Sequence, residues 1–274
     1  MVIFFLLGCS MGPSLETLID ELRIVAQVAD LPEATAGEVV TLTALTADPL
    51  DEGYDVLSWT CTFTGESCAE SASGGAWGGL TLTEQPTEPV VTSYAVPEAF
   101  SSFLTDEPVP LVQVWTLSCL PGLCPPIEAA READPDTEQL QEWLTDPTSF
   151  LVDVPMEGVS LGLRSILLST RPEGERGQNP GISCVPDEGE LVADVETELA
   201  FTCSLTEGLT ETASVWGYTT AGGWQGASLA LLGGESEVEY SWFAPEEPGE
   251  ATVWVVVVDG QGGVGLWEET LTAR

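Results

Sequence analysis

The sequence contains no histidine and no lysine, and its only cationic side chains are Arg23, Arg131, Arg164, Arg171, Arg176 and Arg274. Without histidine, the chain lacks the side chain most often used as a general base near neutral pH and the commonest transition-metal ligand. Six arginines against 45 acidic residues give a formal charge of −39. A surface that neutralises phosphates needs clustered Lys or Arg, and these arginines are scattered, which excludes DNA and RNA as partners. The apolar run Val2 to Leu7 is far short of the ~20 residues needed to cross a bilayer as a helix.

What is present argues for folding. Hydrophobic residues make up 43% of the chain and nine of its residues are tryptophan, enough apolar surface to offset the entropy of ordering despite the self-repulsion of so acidic a polymer. A length of 274 residues fits about two domains at ~100–200 residues each.

The pattern from residue 22 has period two, with Leu22, Ile24, Ala26 and Val28 on one side, and reads as a strand. Further short runs rich in β-branched residues follow at 39–46, 56–63, 80–83, 90–96, 109–117 and 159–168, separated by turns rich in Pro and Gly. One helix interrupts them near 135–146: Asp134 can cap it, Pro135 suits its first turn, Leu140, Trp143 and Leu144 recur at helical spacing, and Asp146-Pro147 stops it. It is expected across an open edge or end of the first sandwich.

The stretch 171–180 holds Pro, Gly and charged or amide residues with no apolar side chain, which is the composition of a linker. Beyond it, strands are expected at 198–205, 213–219, 227–232, 238–243, 251–259 and 264–272. Many short strands at this spacing indicate an all-β fold built of sandwiches. The expected organisation is a β-sandwich over 21–170 with the helical insertion, a linker over 171–180, and a second sandwich over 181–274.

Three stretches resemble known families. Leu6-Leu7-Gly8-Cys9 resembles the lipobox of bacterial lipoproteins, which implies a signal peptide over 1–8, a lipidated Cys9 as first mature residue and a tether over 9–20. The alternative for Val2 to Leu7 is a buried amino-terminal strand. By resemblance to enteric lipoprotein sorting, Ser10 after the cysteine gives no strong inner-membrane retention signal, which implies the outer membrane, facing either the periplasm or the outside. The stretches Tyr240-Ser241-Trp242-Phe243-Ala244-Pro245, Pro248-Gly249 and Val255 to Gly263 resemble PKD-like and other bacterial immunoglobulin-like domains. Leu18 to Val28, Pro32, Gly37 to Leu45 and Trp59-Thr60-Cys61 resemble the opening of envelope lipoproteins in which a short tether runs into one such sandwich. None of these brings a catalytic residue with it.

With Cys9 acylated, Cys61, Cys68, Cys119, Cys124, Cys184 and Cys203 remain, an even set of the kind an oxidising compartment pairs. Two lie in the second half, so Cys184 is expected with Cys203. The four in the first half allow three pairings. In an immunoglobulin-like sheet the Cys61 and Cys119 strands are antiparallel neighbours with these residues at opposite ends, which favours Cys61 with Cys68 and Cys119 with Cys124. Zinc is the rival reading, but no Cys-x-x-Cys spacing and no histidine support it.

Other patterns were weighed for chemistry. Gly158-Val159-Ser160-Leu161-Gly162 fits the Gly-x-Ser-x-Gly of α/β-hydrolases, but the motif needs a histidine base and a following helix, and here Ser160 opens a strand-like run. Paired carboxylates could serve a glycosidase, yet their abundance makes any chosen pair uninformative, and a solvated acidic surface explains them equally well. Asp48, Asp51, Glu52 and Asp55 form the densest oxygen-ligand cluster on a turn and are the candidate calcium ligands, against the reading that Asp and Gly simply favour turns.

Trp77 and Trp224, each flanked by glycines and each following a strand that carries another tryptophan, suggest related positions in two related domains. An exposed indole there could stack on a sugar, and the competing reading has each ring folded over its own hairpin to fill the sandwich edge. The sequence therefore points to a non-enzymatic envelope protein that acts as a structural module or as an interaction module for adhesion or binding, held to the membrane by lipid and facing envelope proteins or polysaccharide. A glycan-binding module and a hydrolase are the alternatives.

Overall fold

A computed structural model of the chain describes residues 18–62, 80–102, 104–131, 140, 142–143, 148–151, 154, 158–187, 189–206, 212–225, 228–232 and 236–274. Cys9, Cys68 and Trp77, together with the signal and tether segments up to residue 17, lie outside these residues.

Residues 23–168 form two facing sheets. Sheet I orders β1 (Arg23–Ala29), β3 (Val39–Ala47) and β6 (Val90–Ala95) as β1-β3-β6. Sheet II orders β2 (Glu33–Ala34), β8 (Val159–Leu168), β7 (Val109–Cys119), β4 (Asp55–Thr62) and β5 (Thr81–Glu84) as β2-β8-β7-β4-β5. Alternation buries Val40, Leu42 and Tyr94 of sheet I against Val112, Val114, Ile166 and Leu168 of sheet II, as a half-buried pleat requires.

Residues 181–273 repeat the plan. Sheet III orders β13 (Gly223–Gln225), β15 (Glu237–Phe243), β11 (Glu198–Thr206) and β9 (Gly181–Pro186), and sheet IV orders β10 (Val192–Ala193), β17 (Val264–Ala273), β16 (Gly249–Asp259), β12 (Thr212–Thr219) and β14 (Ser228–Leu232) as β10-β17-β16-β12-β14. The five-stranded sheets match strand for strand, down to a two-residue strand that pairs in parallel with the last strand, Ala34 against Leu168 and Ala193 against Ala273. The chain is a tandem of immunoglobulin-like β-sandwiches. The turn that follows this short strand repeats too: Gly37 and Glu196 both adopt positive φ, 85° and 58°.

Each expected strand is formed, and four more are added, β2, β9, β10 and β13. The helical insertion is placed differently from expectation. Helix α1 (Pro125–Arg131), the helical Leu140 and helix α2 (Thr148–Leu151) bury Ile127, Leu140 and Phe150 against Leu57, Trp59, Leu117 and Val159. The insertion covers the outer face of sheet II, not its edge or end, because that face carries its own row of large apolar side chains. Of 135–146 only Leu140, Glu142 and Trp143 are described, and these are helical.

Cys119 and Cys124 are bridged at the start of the insertion, and Cys184 and Cys203 are bridged across directly opposed residues of β9 and β11, with Cα atoms 3.9 Å apart. Cys61 is disulfide-bonded as well. Its register places it opposite Gln113, while Cys119 stands opposite Asp55, so the two ends of the β4–β7 pair are braced separately.

Candidate functional site

The outer face of sheet IV carries its own group of large apolar side chains, and the first sandwich covers them. Tyr218, Trp254, Val256 and Val264 pack with Val25, Ala26 and Ala47 of β1 and β3 and with Ile19 in one buried cluster, flanked by Leu45, Trp216 and Leu266. Ile19 N–H donates to the Thr219 carbonyl at 2.7 Å, which lays the segment before β1 on the second sandwich.

The stretch 171–180, expected as a linker, is fastened along its length. Arg171 donates to Glu33, whose carboxylate also accepts from Ser169 and from Gly177 N–H. Arg176 binds Glu38 at 2.6 Å. Asn179 bridges the two sandwiches: its Nδ2 donates to the Ala29 carbonyl at 2.6 Å and its Oδ1 accepts from Val264 N–H at 2.9 Å. A β-carbon on Gly263 would stand 2.6 Å from the Gln178 carbonyl oxygen, so this close approach requires glycine. Burial alone would raise the Glu33 and Glu38 pKa values, but the donors from Arg171, Gly177 and Ser169, and from Arg176 and Thr35, hold both below the ordinary value.

A second buried charge lies at the same junction. Arg164 of β8 is 7% exposed, and its Nε and Nη2 have no hydrogen-bond partner among the described residues; burial lowers its pKa to about 10 against the attraction of Asp259 of β16. Asp259 caps the turn into β17 by accepting from Gln261 and Gly263 N–H, yet its burial pushes its pKa up.

Beside this junction the two sandwiches enclose a cleft of about 670 Å³. Its walls include Tyr54 from the loop after β3 and Trp254 from β16, and its carboxylates are Asp48, Asp51, Glu52, Glu88 and Glu268. Trp254 Nε1 donates to Glu268 Oε2 at 2.9 Å, which fixes the indole in the wall. Burial raises the Tyr54 pKa, against a hydrogen bond with Thr46. A second cleft of about 410 Å³ adjoins on the other side of the 48–54 loop and shares Asp48 and Glu52.

Among the described residues, two of the expected arrangements are not formed. Asp48, Asp51, Glu52 and Asp55 do not gather as calcium ligands, and no three His, Cys, Asp or Glu side chains among the described residues do so. The reason is local: Asp48 Oδ2 accepts Gly53 N–H at 2.8 Å, while Asp55 lies buried at the start of β4 and pairs with Arg131 at 2.6 Å. Trp224 is not an exposed sugar platform. It is 7% exposed, its ring packs edge-on against Tyr240 at 5.7 Å, and its Nε1 donates to the Tyr218 carbonyl at 2.7 Å. The ring folds over its own hairpin because Gly217 leaves the space, a β-carbon there standing 3.1 Å from the indole.

Ser160 lies within β8 with its Oγ accepting Ile24 N–H at 2.9 Å, so the hydroxyl serves to hold the first strand. Trp59, Trp242 and Trp254 are buried core residues, and Trp115 stacks on Trp59 with ring centroids 6.1 Å apart. Sequence reasoning missed the junction. Its signal was the run Val255 to Val258, since a strand apolar at consecutive positions is buried on both faces.

No family model and no curated protein matches the chain. Among solved structures, it is similar to the D0-D1 domain of intimin, at 12% identity over 90% of this chain and 98% of that one, with a TM-score of 0.26. It is also similar to the adhesin InvE of Yersinia pseudotuberculosis, at 9% identity over 91% of this chain and 58% of that one, with a TM-score of 0.27. A conjugative transposon lipoprotein from Bacteroides eggerthii matches at 13% identity over 34% of this chain and 95% of that one, with a TM-score of 0.27. Scores of this size leave the architecture resting on the chain's own strand order.

Proposed function

We propose that the chain is a non-enzymatic interaction module of the bacterial cell envelope, tethered to the outer membrane through acylated Cys9, in which two sandwiches act as one rigid body. The observation that carries this reading is the burial of Tyr218, Trp254, Val256 and Val264 against the first sandwich. A flexible tether between independent domains would leave that face to water, and an exposed apolar face of this size is a liability in a soluble domain. The envelope address is supported by Leu6-Leu7-Gly8-Cys9 and by disulfides of the kind an oxidising compartment maintains.

Distances between spin labels test the rigid body. With Cys9→Ser to remove the acyl site, labels at Glu88→Cys and Glu247→Cys, both exposed, are expected to give one narrow distance distribution. A broad distribution would mean that the sandwiches move independently, and the reading would fall.

A further inference from the structure

Resting on that rigid-body reading, we infer that the cleft between the sandwiches is a docking groove for an extended protein segment that alternates arginine or lysine with apolar residues. The cleft is walled by both sandwiches, so it exists as a shape only because the junction holds them. It combines two kinds of surface. Tyr54 presents a half-buried aromatic ring, and the buried Trp254, held in place by Glu268, contributes to the wall. Around them stand Asp48, Asp51, Glu52 and Glu88, with no basic residue among those that line the cleft.

Charge complementarity selects the occupant. The chain has few cations, and the described ion pairs place them elsewhere: Arg131 on Asp55, Glu84 and Glu128, Arg171 on Glu33, Arg176 on Glu38, and Arg274 on Asp194. The carboxylates of the cleft are in no ion pair among the described residues. Like charges held around a low-dielectric wall focus a negative potential into the space between them, which draws in a cation and repels an anion. The half-buried Tyr54 ring beside these carboxylates adds a cation–π surface for a guanidinium. A bare divalent ion is a poorer match, since no three carboxylates converge among the described residues.

The dimensions favour a chain segment over a single side chain. The adjoining cleft shares Asp48 and Glu52 and carries Glu21, and Leu50, which is 63% exposed, stands beside it. An extended segment crossing the 48–54 loop would meet carboxylates in both clefts while setting an apolar side chain against Leu50. At ~3.3–3.6 Å per residue, an extended segment of eight residues spans at most about 26–29 Å.

The test uses a blocked octapeptide of alternating arginine and leucine, titrated calorimetrically into the Cys9→Ser chain at physiological salt. Saturable one-to-one binding is expected, with no binding of the glutamate–leucine counterpart. Because a chain of charge −39 attracts any cation weakly, two variants of equal charge are compared. Asp51→Asn with Glu52→Gln and Glu88→Gln is expected to weaken binding at least tenfold. Glu237→Gln with Glu239→Gln and Glu247→Gln, on the far side of the second sandwich, should change it less than twofold. Equal weakening by both, or no saturable binding, overturns the groove. If binding fails while the spin-label distance stays narrow, the groove alone is wrong; a broad distance would remove the rigid body on which it rests.

Discussion

The two sandwiches share one strand order but solve the same burial problem by different means. In each, the middle strands of the five-stranded sheet carry large apolar residues on the outer face. Counting back from the parallel pairs Ala34 with Leu168 and Ala193 with Ala273, Trp115 opposite Leu163 corresponds to Trp254 opposite Glu268. Their cross-strand partners, Trp59 and Tyr218, correspond as well. The first sandwich covers this face with its own insertion between β7 and β8, whereas the second makes that connection with the turn Asp259 to Gly263 and covers the face with its neighbour. The cover's origin decides what happens when the face is disturbed. An insertion is covalently part of its sandwich and cannot leave without local unfolding; a neighbouring domain can separate.

Substituting a charge at the corresponding positions Leu117 and Val256, both buried, breaks the comparison most severely. Leu117→Asp places an unpaired carboxylate under the insertion, and an uncompensated buried charge costs about 3–5 kcal/mol, so the first sandwich is expected to unfold at much lower urea. Val256→Asp has an escape: the sandwiches part, water reaches the carboxylate, and the second sandwich keeps its fold. Its expected signature is a broadened spin-label distance with a smaller loss of stability. A narrow distance in Val256→Asp would show that the junction is not separable.

The disulfides sharpen the contrast on a smaller scale. Cys184 and Cys203 close a loop of sequence separation 19 within sheet III, and Cys119 and Cys124 one of separation 5 at the root of the insertion. By loop-closure entropy the first contributes about 3 kcal/mol and the second about 2 kcal/mol. Paired replacement by alanine is expected to lower the urea midpoint of the second sandwich more than that of the first. The reverse order would mean that the short loop anchors the insertion more tightly than chain entropy accounts for.

Much of this architecture was legible because strands with one solvated face alternate visibly, as Leu22 to Val28 and Val39 to Thr46 do. Two features were not. Polar composition marks 171–180 as a linker, but composition does not distinguish a solvated segment from one whose Arg171, Arg176 and Asn179 are committed to Glu33, Glu38 and the Ala29 carbonyl. The cleft was illegible for a related reason. Asp48, Asp51 and Glu52 stand out as a turn cluster in sequence, but Trp254 and Glu268, which complete the wall, arrive from strands 200 and 214 residues beyond Tyr54 (254 − 54 and 268 − 54). Only the packing of one sandwich on the other joins them.

Acid provides the finest probe, because the two sides of the junction respond to it with opposite sign. Burial tends to raise the Glu33 and Glu38 pKa values, but their arginine, hydroxyl and amide donors bring both below the ordinary 4.5. Their contribution is therefore complete above about pH 4.5 and is lost as pH falls through the lowered folded-state values. Asp259 behaves inversely. Burial outweighs its two N–H donors and the attraction of Arg164, so its folded-state value lies above 3.8, and protonation through that window relieves a cost carried at neutral pH. Glu33→Gln is expected to flatten the acid loss of the first sandwich in urea midpoints followed from pH 7 downward, whereas Asp259→Asn should remove a small acid gain at the junction. If both substitutions bent the profile in the same direction, the carboxylates on the two sides would share one environment, and the difference between a seam built of ion pairs and a buried, incompletely paired charge would vanish.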